Sequence, residues 1–273
     1  MTPVRRMRPL LGTYVEISAV GEHADLEDAI AHAFDAIVQI QHLLSFHEVT
    51  SDLSKLNMAE TGVYITLHPI SIRVLRLANA ITQASMGLFN CTVGGTLVAK
   101  GILPKHSPQV YLPSGNADDI QISKKQAKRN RPILITLDGI AKGYAVDCAI
   151  RTLKQYGCTA GLVNAGGDLR MFGNLSVPVY QRNINDEALF LGHLQNAAIA
   201  TSCVRHTHDA NFPAWIVAPD ALPKEGVYSV IAHSAWRADA LTKVACVATD
   251  AVRENILTKL GGRLVLPVEN PTT

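Results

Sequence analysis

Apolar and polar positions alternate from 14 to 19, the two-residue period of a half-buried strand, and the pattern then changes. Leu26, Ala29, Ile30, Ala33, Phe34 and Ile37 recur at helical spacing behind Asp25 and Asp28, an acid pair suited to capping, so an amphipathic helix is predicted there. A second helix is predicted over 69–85, with Val74, Leu77, Ala78 and Ile81 on one face and Gly87 as its stop. Between the two, 51–57 is polar and reads as a loop or short turn. The uncharged stretch 77–99 is long enough to span a bilayer. Its Asn, Thr, Gln, Ser and Gly residues instead predict a helix end, a turn and a strand. Residues 104–130 are rich in Pro, Ser, Gln, Lys and Asn, and read as an exposed excursion with a short strand.

From Ile133 the pattern sharpens. Ile-Leu-Ile-Thr-Leu to Leu137 reads as a buried strand, Asp138-Gly139 as a turn, and 140–156 as a helix closed by Gly157. Leu162-Val163 begins a strand that runs into the glycine turn Asn164-Ala-Gly-Gly-Asp168. Alternating segments follow around Ile216-Val217 and 227–231, then helices over about 235–248 and 253–259 and a strand at 263–266. Strands and helices in this mixed order predict an α+β fold, with mixed or antiparallel sheets and packed helices. Neither a repeat nor a linker divides the chain, so residues 1–273 are expected to form a single domain.

Composition narrows the function classes. Apolar residues make up 48% of 273, enough for a sizeable core, and 25 Lys+Arg against 23 Asp+Glu leave a net charge of +2, which carries no nucleic-acid footprint. The first residues are basic but reach the alternating strand without an apolar leader, so the chain as it stands is expected to be cytoplasmic, and exported if a signal precedes it. Five scattered cysteines without a C-x-x-C pair favour buried thiols.

Three segments could carry chemistry. In Leu137-Asp-Gly-Ile-Ala-Lys-Gly-Tyr-Ala-Val-Asp147, amides at a helix start and Lys142 in its first turn suit an anion, though the spacing is neither a Walker loop nor a dinucleotide fingerprint, and tight strand-helix packing explains the glycines equally well. Asn164-Ala-Gly-Gly-Asp168 is either an anion nest or a plain turn. Asp239, Thr242 and Lys243 share one helix face, as an ordinary Asp-Lys pair or as donors to a hard cation. His206 and His208 read as loop histidines without a third ligand, and Cys203 as an inert thiol.

The order of segments says more than any one of them. Leu11-Gly-Thr-Tyr-Val-Glu-Ile, Ser51-Asp-Leu-Ser-Lys-Leu-Asn57, Gly87-Leu-Phe-Asn-Cys-Thr-Val-Gly94, Gly139-Ile-Ala-Lys-Gly-Tyr-Ala-Val-Asp147, Val163-Asn-Ala-Gly-Gly-Asp168, Ala200-Thr-Ser202 and Ala238-Asp-Ala-Leu241 together resemble the FAD:protein FMN transferase family, ApbE. The resemblance implies an ApbE-like fold and transfer of FMN from FAD to a Thr or Ser hydroxyl of a client protein, such as a membrane redox protein, with magnesium present and AMP released. It places Leu11, His47, Phe89, Asn90, Thr136, Lys142, Gly166, Gly167 and Asp168 at the flavin nucleotide, and Gly139, Asp239 and Thr242 at the metal.

The sequence also departs from that pattern. Asn90 and Thr136 stand where the family has Asp, Asp138 where it has a glycine, and Lys243 where a hydroxyl follows the metal-site Asp. An ammonium at 243 is expected to pair with Asp239 and take part of the cation's place. The family's histidine-bearing segment has no counterpart in 213–219, which leaves the general base unassigned. A FAD-binding module without transfer, or a FAD pyrophosphatase, is the alternative activity.

Overall fold

The computed structural model describes residues 2–22, 25–205, 216–219 and 222–268. The elements in chain order are β1 (Val4–Leu10), β2 (Thr13–Val20), α1 (Leu26–Leu44), α2 (Asp52–Met58), β3 (Ile65–Thr66), α3 (Pro69–Ala84) and α4 (Gly94–Ala99). Then come β4 (Ile120–Ile122), β5 (Gln126–Arg129), α5 (Ala141–Gln155), β6 (Ala160–Ala165), β7 (Asp168–Phe172), β8 (Val177–Arg182) and β9 (Ala188–Leu194). The chain closes with β10 (Ala198–Val204), β11 (Gly226–Ala232), α6 (Ala235–Val247), α7 (Asp250–Lys259) and β12 (Gly262–Val265).

The main sheet is antiparallel, in the order β1-β2-β6-β7-β10-β11-β12. The alternation in β2 sends Val15, Ile17 and Ala19 into the core, where α1, α5 and α6 pack. Asp25 caps α1 as its spacing predicts, accepting the Asp28 N–H. The β8–β9 hairpin covers a second, smaller cluster around Met171, Val179, Leu191, Leu194 and Ile199. Among the described residues no helix is long and apolar enough to cross a membrane.

Four segments differ from the sequence reading. The polar run 51–57 is helical: Ser51 accepts the Ser54 N–H as a cap, and Leu53 and Leu56 bury the inner face. Residues 94–99 form α4 rather than a strand. There the backbone presses on its neighbours, since a Cβ on Gly95 would stand 2.0 Å from the Leu112 carbonyl oxygen. The segment 133–137 is buried but joins no sheet, and makes one parallel bridge, Leu134 to Val93. Its backbone pairs with a side chain instead: Asn57 Oδ1 accepts the Ile135 N–H at 2.8 Å, and Asn57 Nδ2 donates to the Ile135 carbonyl at 2.7 Å. The stretch 104–130 is not wholly exposed either. It carries two short strands, and the buried Arg129 guanidinium donates to the carbonyls of Ile133 and Ala59.

Candidate functional site

The turn joining β1 to β2 meets the turn joining β6 to β7. Leu11 and Gly12 are left-handed at φ 56° and 70°, and the Leu11 N–H donates to Gln41 Oε1 at 2.8 Å. Gly166 lies against Thr13, where a Cβ would come 2.5 Å from the threonine hydroxyl oxygen, so only glycine fits that contact at φ 60°. The chain then enters β7 at Asp168, whose side chain is 2% exposed, and Lys142 from the first turn of α5 places its ammonium 3.5 Å from Asp168 Oδ2. Lys142 keeps a third of its side chain open to water.

Helices α5 and α6 cross closely at Gly143, where a Cβ would fall 2.3 Å from the Ala235 carbonyl oxygen. That approach lets each helix end meet an acid of the other. Asp239 on α6 accepts the Gly143 N–H at 3.1 Å, while Asp147 on α5 accepts the Ala235 and Trp236 N–H groups at 2.9 and 3.0 Å and also pairs with Arg170. The fully buried Asp239 carboxylate is completed by Lys243, whose ammonium lies 2.5 Å from Oδ1. The Lys243 stem passes over Gly139, where a Cβ would be 3.4 Å from its Cε and 3.1 Å from the buried Phe89 ring.

Asp138 precedes Gly139 on the exposed rim and accepts the Thr136 hydroxyl at 3.1 Å. The Asp138 carboxylate thus stands against the Thr136 side chain. Desolvation by the surrounding walls raises the Asp138 carboxyl, opposed by the Thr136 hydroxyl, His47 and Lys243. Burial, and then Asp239, push Asp168 up to about 6 against Lys142 and Lys243. Asp168 in turn raises Lys142. The site is therefore a cluster of three acids and two lysines, with His47 exposed beside it. A cavity of about 530 Å³ opens among Asn90, Gly115, Arg131 and Val247, one helical turn on from Lys243. The larger cavity, about 810 Å³ beside β8 and β9, contains none of these charged groups.

The expected open cradle of backbone donors is mostly closed. Protein groups accept the Ala141, Gly143 and Gly167 N–H groups, the last through Asn164 Oδ1 at 3.0 Å. Asn90 is also committed, donating to the Gly115 carbonyl and accepting both the amide and the hydroxyl of Thr92. Thr242 does not join the Gly139–Asp239 group: it is fully buried, and its hydroxyl bonds the Asp239 carbonyl and Ser202, each at 2.7 Å. Lys142, Asp168, Gly139 and Asp239 do come together, as do Leu11, Gly166 and Gly167 at the neighbouring turns. His206, His208 and residues 213–215 lie outside the described residues. Asp147 escaped the sequence reading; its signal is an acid inside the otherwise apolar helical run 144–150, which is buried throughout.

These donors do not fit a divalent cation. Both Asp239 oxygens are taken, one of them by the Lys243 ammonium, and the Thr242 hydroxyl is turned away.

Residues 11–264 match the ApbE family, to which the chain belongs. An FAD:protein FMN transferase of Chlamydia pneumoniae is 27% identical over 205 residues, covering 71% of this chain and 63% of its own length. One of Rhodobacter capsulatus is 24% identical over 295 aligned positions, covering 95% of this chain and 54% of itself. The chain therefore spans less than two thirds of either relative. The ApbE protein of Thermotoga maritima shares the α+β fold, with a TM-score of 0.81 at 20% identity over 97% of this chain and 94% of its own.

Proposed function

We propose that the protein transfers FMN from FAD to a Thr or Ser hydroxyl of a client protein. The observation that carries this reading is the partly exposed Lys142 ammonium, held by buried Asp168 where three sequence-distant segments meet. A preorganised cation of that kind stabilises charge developing on a diphosphate without having to reorganise at the moment of reaction. The family membership and the two FMN transferase relatives support the same substrate.

In the reaction the client oxygen bonds to the phosphorus next to riboflavin, the bond from that phosphorus to the bridging oxygen breaks, and AMP leaves with the electron pair. Lys142 and Lys243 face the phosphoryl oxygens. Asp138, its carboxyl raised by desolvation beside His47, takes the hydroxyl proton. The cavity of about 530 Å³ has room for one ring system of the dinucleotide.

Incubation with FAD and Ser- or Thr-bearing redox domains tests this by mass spectrometry and nucleotide chromatography. An FMN adduct on the domain with equimolar AMP is expected. Free FMN and AMP without an adduct would replace transfer with hydrolysis, and intact FAD after prolonged incubation would replace it with binding alone.

A further inference from the structure

Two departures from the family pattern, Asp138 for a glycine and Lys243 for a hydroxyl, lie 105 positions apart in the chain, yet the fold brings both to Gly139. Lys243 is no solvent-facing helix lysine. Its stem crosses Gly139, its ammonium is seated on a carboxylate with no exposure of its own, and only 24% of the side chain remains open. An ammonium has three donors and Asp239 Oδ1 takes one, which leaves donors for a phosphate oxygen on the open side. The remaining Asp239 oxygen holds the start of α5, so the acid cannot turn to a metal without uncapping that helix.

We infer that Lys243 is the resident cation of this site and that the protein grips a diphosphate through the two ammonium groups of Lys142 and Lys243, without a divalent metal. The inference deepens the FAD reading and rests on it for the identity of the ligand, but the metal question is decided separately.

Manganese alone, titrated into the ligand-free protein and followed by electron paramagnetic resonance, addresses the cation. FAD affinity, followed by flavin fluorescence with EDTA or with magnesium, addresses the diphosphate. The wild type should show no saturable manganese binding, and its FAD affinity should change less than twofold between EDTA and magnesium. Lys243→Thr should lose at least tenfold in FAD affinity in EDTA and recover most of it with magnesium, with the recovery abolished by adding Asp239→Asn. Lys243→Arg, which retains the charge, should remain insensitive to EDTA and guards against a Thr variant that fails to fold. Saturable, Asp239-dependent manganese binding by the wild type would overturn the inference, as would FAD binding that EDTA abolishes or a folded Lys243→Thr variant that keeps full affinity in EDTA. Failure of the wild type to quench flavin under any condition would instead reject the FAD reading, and the manganese titration would still decide the role of Lys243.

Discussion

Asp168 makes the site respond to pH, because burial and Asp239 hold its carboxyl at about 6 rather than the ordinary 3.8. That displacement corresponds to about 3 kcal/mol of preference for the protonated form. A carboxyl raised on folding contributes stability that is fully present below its unfolded value and is lost as pH rises through its folded value. The contribution should therefore fade between about pH 4 and 6, leaving a cost at neutral pH that Lys142 only partly offsets. Asp168→Asn should accordingly be at least as stable as the wild type at pH 7.5 and lose its advantage near pH 4, as measured by urea unfolding at both values; a variant less stable at pH 7.5 would contradict this. Its FAD affinity should fall by about tenfold, because Lys142 loses the partner that aims it. Lys142→Met should lower affinity further and also lose stability at pH 7.5, because the buried Asp168 carboxylate then has no cation to offset its charge. Lys142 was legible in the sequence only through the family resemblance of its Gly-Ile-Ala-Lys-Gly-Tyr-Ala segment, since the local residues suited tight strand-helix packing equally well. The contact between Asp138 and the Thr136 hydroxyl was not legible, because it depends on a turn geometry that residue spacing alone does not encode.

Helices α5 and α6 explain why the acids at this site do not drift. Each helix start has free N–H groups that need an acceptor, and each finds a carboxylate on the other helix across the Gly143 contact. Gly143→Ala therefore tests the element rather than the residue. Its methyl group would have to displace the Ala235 backbone, not a flexible side chain, and the helices would separate at both caps. A loss of about 2–4 kcal/mol in unfolding free energy is expected, from overpacking together with a weakened cap. Near-wild-type stability would show that the crossing is more tolerant than this geometry allows. Helical periodicity placed both helices in the sequence, but Gly143 and Asp239 are 96 residues apart and nothing local joins them. The same limit explains 133–137: the run is apolar and β-branched like a strand, yet its partner is the Asn57 side chain, on a helix that the sequence presented as a polar loop. Short helices carry too few turns to show a period, so their caps are the better signal, and Ser51 was such a cap.

At the scale of the whole molecule, the site lies where the end of the main sheet, the α5–α6 pair and the α2-tethered segment meet. Ligand binding should therefore be linked to global stability rather than to one loop. FAD at one hundred times its dissociation constant should add about 2.7 kcal/mol to the unfolding free energy. For a chain of this size that corresponds to a rise in Tm of roughly 5–10 °C. The rise should be the same in EDTA and nearly absent in Lys142→Met. Asn57→Ala separates stability from binding: leaving the Ile135 N–H and carbonyl without partners in the core should cost about 2–4 kcal/mol and lower Tm by several degrees. That segment leads to Asp138 and Gly139 but supplies no ammonium, so FAD should still raise the lowered Tm by a similar increment. If the increment vanished along with the stability, the tether would be part of the binding surface. If FAD failed to shift the wild type at all, the junction would be a structural ion-pair network, and the cluster of acids and lysines would have to be explained by folding alone.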